Sequence, residues 1–123
     1  MAKANPVLKE LQAAAKDLLF PSESDAPIEA FAWPGGAGAP DEAALRANAG
    51  IEEGAPVERI TLAQLAKTIP KESRAEFKPL LDALGKLKGT TVFKVGEVNV
   101  AVYVVGRTAD GQFVGIKTEV VET

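Results

Sequence analysis

Gly96-Glu97-Val98-Asn99-Val100-Ala101-Val102-Tyr103-Val104-Val105-Gly106, then Arg107-Thr108-Ala109-Asp110-Gly111-Gln112, then Phe113-Val114-Gly115-Ile116-Lys117-Thr118-Glu119-Val120-Val121-Glu122-Thr123: this stretch decides the fold. Val98, Val100, Val102 and Val104 alternate with polar or small residues, the period-2 pattern of a strand with one buried face. Stiff β-branched side chains pack well on a pleated surface and favour that strand. A second strand follows, with Val114, Ile116, Thr118 and Val120 on one face. The turn sets the register. A two-residue Asp-Gly loop would set Val104 against Lys117 and Val102 against Glu119, mixing valines with charges. A three-residue loop, Ala109-Asp110-Gly111, sets Val104 against Ile116 and Val100 against Val120. That choice makes one apolar face, and Gly111 suits the left-handed position of the bulge such a loop needs. The hairpin is expected in the middle of a sheet. Its second strand runs to Thr123, so a chain end held in place is expected.

Outward from the hairpin, Thr90 to Val95 reads as a strand turned at Gly96. Before it lies a helix with Phe77, Leu80, Leu81, Leu84 and Leu87 on one face, ended by Gly89. Ser73 and Glu76 have the spacing of a capping box. Pro79 conflicts with that start, because a proline inside a helix removes one hydrogen bond and crowds the preceding turn. The helix therefore either begins near Phe77 or kinks at Pro79. Thr61-Leu62-Ala63-Gln64 is a capping box opening another helix, with Ile60 and Leu65 as its hydrophobic staple. Val57 to Ile60 is a short strand or an extended lead-in. Asp41 caps a short helix through Asn48, with Gly50 just past its end. Ile28 to Trp33 reads as a strand. The first helix opens at Asn5-Pro6, carries Val7, Leu8, Leu11, Ala14, Ala15, Leu18 and Leu19 as its stripe, and is closed by Pro21.

The 123 residues make one domain, 1–123, with enough chain to bury a core. Cysteine is absent, which removes disulfides, thiol catalysis and cysteine-bound zinc. Histidine is absent as well, removing the usual general base and the usual transition-metal ligand. No apolar run is long enough to span a membrane, and the N-terminus lacks a signal peptide's apolar core; a cytoplasmic location follows as the default. Net charge is −3, but it is uneven. Residues 1–60 carry a balance of −5 and residues 61–123 one of +2. An acidic front half argues against nucleic-acid binding there, and no basic cluster with interleaved aromatics appears later.

Few residues invite chemistry. The glycine-rich stretch Gly35-Gly36-Ala37-Gly38 follows a strand but has neither the spacing nor the Lys-Ser/Thr of a phosphate loop, so it reads as a plain loop. Glu52 and Glu53 lie between glycines in a turn and read as solvated. Ser22-Glu23-Ser24-Asp25 holds more interest: prolines at both ends stiffen the segment, and its hydroxyls can fix the carboxylates locally. From chemistry alone it reads first as a solvated acidic loop. Trp33 shares a strand face with Phe31, a core position by default and an interface anchor otherwise. Tyr103 lies on the hairpin face opposite the valines, and is core if helices cover both faces.

With loop and tail together, the sequence resembles the nuclease A inhibitor family. The residues that carry the resemblance are Leu18-Leu19-Phe20-Pro21-Ser22-Glu23-Ser24-Asp25, Phe31-Ala32-Trp33, Gly96-Glu97-Val98, Val102-Tyr103-Val104-Val105-Gly106, and Val120-Val121-Glu122-Thr123. They keep the family's order and cover about half of the chain. The resemblance implies an α+β fold, an α-β-α sandwich around a mainly antiparallel sheet. It implies inhibition of a metal-dependent, non-specific DNA/RNA endonuclease. Glu23 matches the family's glutamate that reaches the nuclease metal, and the terminal carboxylate of Thr123 matches the chain end that hydrogen-bonds in the catalytic site. Ser22, Glu23, Ser24, Asp25, Glu122 and Thr123 are thus the expected partner-binding residues. The departure falls at Lys67-Thr68-Ile69-Pro70-Lys71-Glu72-Ser73, which has two lysines and no aromatic where a member of the family carries a longer, more acidic stretch with a tryptophan.

Two function classes follow. The first is a cytoplasmic protein inhibitor, monomeric when free, that plugs a nuclease active site and has no cofactor and no metal of its own. The alternative is a non-inhibitory protein-interaction module of the same fold, using the acidic loop and Trp33. Small-molecule binding is weaker, since few convergent polar groups can be named. An enzyme is not expected: carboxylate, lysine, serine and threonine remain, and none is arranged recognisably.

Overall fold

The computed structural model describes residues 6–16, 18–20, 26–33, 41–51, 54–109 and 111–121. Its centre is the expected hairpin. Strands β6 (Asn99–Arg107) and β7 (Phe113–Val121) pair antiparallel with Val104 opposite Ile116 and Val100 opposite Val120. The N–H of Thr108 donates to the Gln112 carbonyl at 2.8 Å, which closes the three-residue loop, and Gly111 has φ +91°. That left-handed backbone is costly for a residue with a Cβ. Val98, expected on the buried face, instead precedes β6 and is 54% exposed. The turn at Gly96 (φ +114°) occupies the residues before Asn99, so the alternation starts one step later than the valines suggest.

Around the hairpin the sheet has five antiparallel strands in the order β3-β7-β6-β5-β4. These are β3 (Glu29–Trp33), β4 (Val57–Ile60) and β5 (Lys88–Val95) with the central pair. Alternation sends the side chains to two covered faces. On one, Val92, Val100, Val102, Val104, Val114 and Ile116 join Leu11 of helix α1 (Pro6–Ala15), Leu65 of α3 (Leu62–Lys67) and Phe77, Leu80 and Leu84 of α4 (Arg74–Gly85). On the other, Phe93, Tyr103, Val105 and Phe113 receive Leu45 of α2 (Glu42–Ala49). The fold is therefore α+β, an α-β-α sandwich, and Tyr103 is core. Burying both faces is what makes β6 nearly continuous in apolar residues, rather than cleanly alternating with polar ones.

The helix boundaries differ from the sequence reading in three places. Helix α1 ends at Ala15, not at Phe20, because Leu19–Phe20 forms a short strand, β1, paired with β2 (Ala26–Pro27). Proline at 21 biases Phe20 toward extended backbone, and the ladder carries that conformation back to Leu19. Helix α4 ends at Gly85 rather than at Gly89. The Thr90 hydroxyl donates to the Leu84 carbonyl at 2.8 Å, satisfying one of the acceptors a helix end leaves free. Gly89 (φ +64°) sits instead at a register shift near the start of β5. Pro79 lies inside α4, which starts at Arg74. The hydrogen bond it forfeits would have gone to the Ala75 carbonyl four residues back; Ala75 and Pro79 are both exposed, so water can serve that carbonyl. The Ser73–Glu76 capping box does not form, since Ser73 has helical backbone and ends the 3-10 turn Lys71–Ser73. The Thr61–Gln64 box forms in full: the Gln64 N–H donates to the Thr61 hydroxyl at 3.1 Å, and the Thr61 N–H to Gln64 Oε1 at 2.8 Å.

Candidate functional site: the sheet end at β7

Ser22, Glu23, Ser24, Asp25, Glu122 and Thr123 lie outside the described residues, as do Gly35 to Gly38, Glu52 and Glu53. The elements that flank them are described. The acidic segment 21–25 is enclosed by β1 and β2, which pair antiparallel with Leu19 opposite Pro27 and Phe20 opposite Ala26. Both strands lie against β7. Direction then fixes which end of β7 is involved. Strand β3 pairs with β7 antiparallel, Trp33 opposite Phe113 and Glu29 opposite Lys117. Followed backward from Glu29, the chain therefore runs toward the C-terminal end of β7. The last described pair there is Asn99 with Val121.

A side-chain hydrogen bond ties the stem to the sheet. Thr118, 3% exposed, donates its hydroxyl to the Pro27 carbonyl at 3.1 Å. Thr118 stands in the apolar stripe of Val114, Ile116 and Val120, and a polar side chain buried there needs a partner. That misplaced hydroxyl was the sequence signal for the contact; its partner across ninety residues was not legible. Around this bond, Pro27, Glu29, Lys117, Thr118 and Glu119 line a shallow cleft of about 190 Å³. Glu29 and Glu119 are exposed, and sequence reading assigned them no role. No group of three or more acidic side chains among the described residues could hold a metal ion. No described helix is long and apolar enough to cross a membrane.

Phe31, Trp33, Phe93, Tyr103 and Phe113 lie on the α2 face. Phe31 and Trp33 stack with ring centroids 4.3 Å apart, and Tyr103 meets Phe31 edge-on at 6.3 Å. The Lys117 ammonium stands 5.7 Å from the Tyr103 ring centroid, within cation–π range. Both Phe31 and Trp33 are half-buried, so the stack belongs to the margin of the core.

The family model of nuclease A inhibitor-like proteins matches residues 5–123. The chain belongs to the nuclease A inhibitor-like family. No curated protein matches it significantly. Membership in this inhibitor-like family supports a nuclease-inhibitor-like role in general terms and implies a protein partner. It also accounts for the shared segments at both ends of the chain: the matched region takes in the acidic segment, the central hairpin and Thr123.

Proposed function

We propose that this nuclease A inhibitor-like chain blocks a metal-dependent, non-specific nuclease by presenting two carboxylates to its active site, that of Glu23 and the terminal one of Thr123. One observation carries the reading. The stem enclosing residues 21–25 docks on β7 at the end where β7 approaches Thr123, and Thr118 links the two. A divalent ion in a nuclease keeps positions open for water and substrate phosphate. A carboxylate on a stiff loop takes a phosphate oxygen's place there, and a second one at a strand end engages donors meant for the scissile phosphate. A peptide is not a substrate, so the plug persists. Ser22, Ser24, Asp25 and Glu122 complete the contact surface, and the acidic front half, with Glu29 exposed beside the stem, steers the inhibitor toward a basic groove. The inhibitor is read as a single domain over 1–123, monomeric when free and acting in the cytoplasm.

The test is a titration against metal-dependent non-specific endonucleases from the source organism, with residual DNA cleavage as the readout. Stoichiometric inhibition is expected from the native chain, weakened by Glu23→Ala and by residues appended after Thr123. If the native chain leaves cleavage intact at large excess, the reading fails. The half-buried Phe31–Trp33 stack then favours the interaction module, with Trp33 as an anchor on another protein.

A further inference from the structure

Val98 takes no part in the core. It is 54% exposed, and among the described residues it stands alone as an exposed large apolar side chain. Its neighbours Glu97 and Asn99 are exposed as well. The turn does not call for valine either: turns favour Gly, Asn, Asp, Ser and Pro, whereas a β-branched side chain suits a strand. One exposed apolar residue is ordinary on a protein surface. Val98 differs in where the fold places it and in how firmly it is held, and a residue that satisfies neither core nor turn is expected where a chain does its work.

Register gives the place. Asn99 pairs with Val121, so Val98 is one residue from a pair that lies two residues from the chain end. Bond geometry then limits the Val98 and Thr123 Cα atoms to a separation of roughly 17 Å at most, whatever path the last two residues take. A standard protein–protein contact covers about 800 Å² on each partner, a patch roughly 30 Å across. A partner seated on the Thr123 carboxylate therefore takes in Val98.

The turn is also fixed. The Gly96 N–H donates to the Pro56 carbonyl at 3.0 Å, which ties the turn to the lead-in of β4. Gly96 has φ +114°, and a Cβ there would lie 2.5 Å from the Asn99 carbonyl oxygen, so only glycine closes the turn this tightly. Val95 pairs with Ala101 on one side of β6, and Asn99 with Val121 on the other. An apolar side chain held in advance gives up little freedom on binding.

We infer that Val98 is an apolar contact for the inhibited nuclease, flanking the terminal carboxylate and seated on an apolar patch at the rim of the basic groove. The inference rests on the proposed inhibition and adds what the partner must carry. The work is divided: the carboxylates speed encounter with a basic groove, and Val98 slows departure. A nuclease with a charged side chain at that rim is disfavoured, because Val98 offers the charge no partner.

The experiment compares the native chain with Val98→Ala in inhibition titrations at low and high salt. The side chain is exposed, so Val98→Ala melts as the native chain does, which circular dichroism checks. About half of Val98 is still open to water, and burying half of two methyl groups corresponds to a factor of roughly 4 in affinity. Expected is a loss of inhibition of that size, carried by faster dissociation and equal at both salt concentrations. Unchanged inhibition, or a loss confined to low salt, overturns the apolar contact while native inhibition stands. Absence of inhibition by the native chain overturns the plug and the contact together. A photo-crosslinker at Val98 should label the nuclease, and one at Gln112, exposed at the opposite end of the hairpin, should not. Labelling from Gln112 as strong as from Val98 overturns the inference.

Discussion

Replacing Thr118 by valine tests whether the β1–β2 stem borrows its order from β7. The substitution is nearly isosteric and suits a strand, so it removes little except the hydroxyl that donates to Pro27 at 3.1 Å. A hydrogen bond of this kind contributes about 1 kcal/mol net. Pro27 is exposed, so water can reach its carbonyl and the loss stays near that value rather than at the higher cost of a sealed acceptor. About 1 kcal/mol is a factor of roughly 5 in an opening equilibrium. Hydrogen exchange of the amides in β1 and β2 should therefore quicken about 5-fold in Thr118→Val, with the β6–β7 ladder following global stability alone. Dissociation from the nuclease should quicken by a similar factor, because a looser stem must be ordered on binding. Thr118→Ser is the control: it keeps the donor and loses one buried methyl, about 0.8 kcal/mol of global stability. Its stem should exchange as in the native chain although the whole protein is weaker. Equal stem exchange in native and Thr118→Val, or equal acceleration in Thr118→Val and Thr118→Ser, would refute the tether.

Urea denaturation should separate two glycines of the central hairpin. A Cβ at Gly115 would overlap the Val104 carbonyl oxygen and lie 2.8 Å from its carbon, so Gly115→Ala must move backbone and should cost more than about 3 kcal/mol. At Gly106 the Cβ would overlap Leu87 Cβ and lie 2.9 Å from Thr90 Oγ1; Leu87 must move with its backbone, but it sits in the link between α4 and β5 rather than in the central ladder, so Gly106→Ala should cost less, about 1–3 kcal/mol. The reverse order would contradict the packing described. Thr61→Ala removes the acceptor that completes the α3 capping box and should cost about 1 kcal/mol, read by the same denaturation, with inhibition unchanged.

What the sequence disclosed followed from how local the cause was. The β6–β7 register was legible because one loop length alone put Val104 on Ile116 without mixing charges and valines, and the Gly111 backbone agrees. The Thr61 box was legible because both of its bonds lie within four residues. Leu18 and Leu19 were misread as helix because an apolar pair fits either period; the ladder to Ala26 and Pro27 decides, and it lies across a loop. Leu87 was misread for a related reason. It stays buried after α4 has ended, so its spacing matches the helical stripe while its backbone does not belong to it. The acidic segment was legible as unusual composition, and its role came from family resemblance. The Thr118–Pro27 bond was not legible, since it depends on elements brought together by tertiary packing.

A sheet covered on both faces leaves its ends and edges for partners, and the two ends of this one are not equivalent. A two-residue ladder such as β1–β2 cannot hold itself in water. It must be fixed by something rigid, and the rigid element within reach is β7, second from the sheet edge and paired on both sides. The same strand leads into Glu122 and Thr123. Both proposed carboxylates are thus referenced to one strand, the terminal one covalently and that of Glu23 through the stem and Thr118. Two like charges repel, so their mutual position has to be imposed by the fold rather than found by the loop. For the proposed plug, β7 is the element on which that position would be imposed, and the buried valines of the central hairpin are what give β7 its stability.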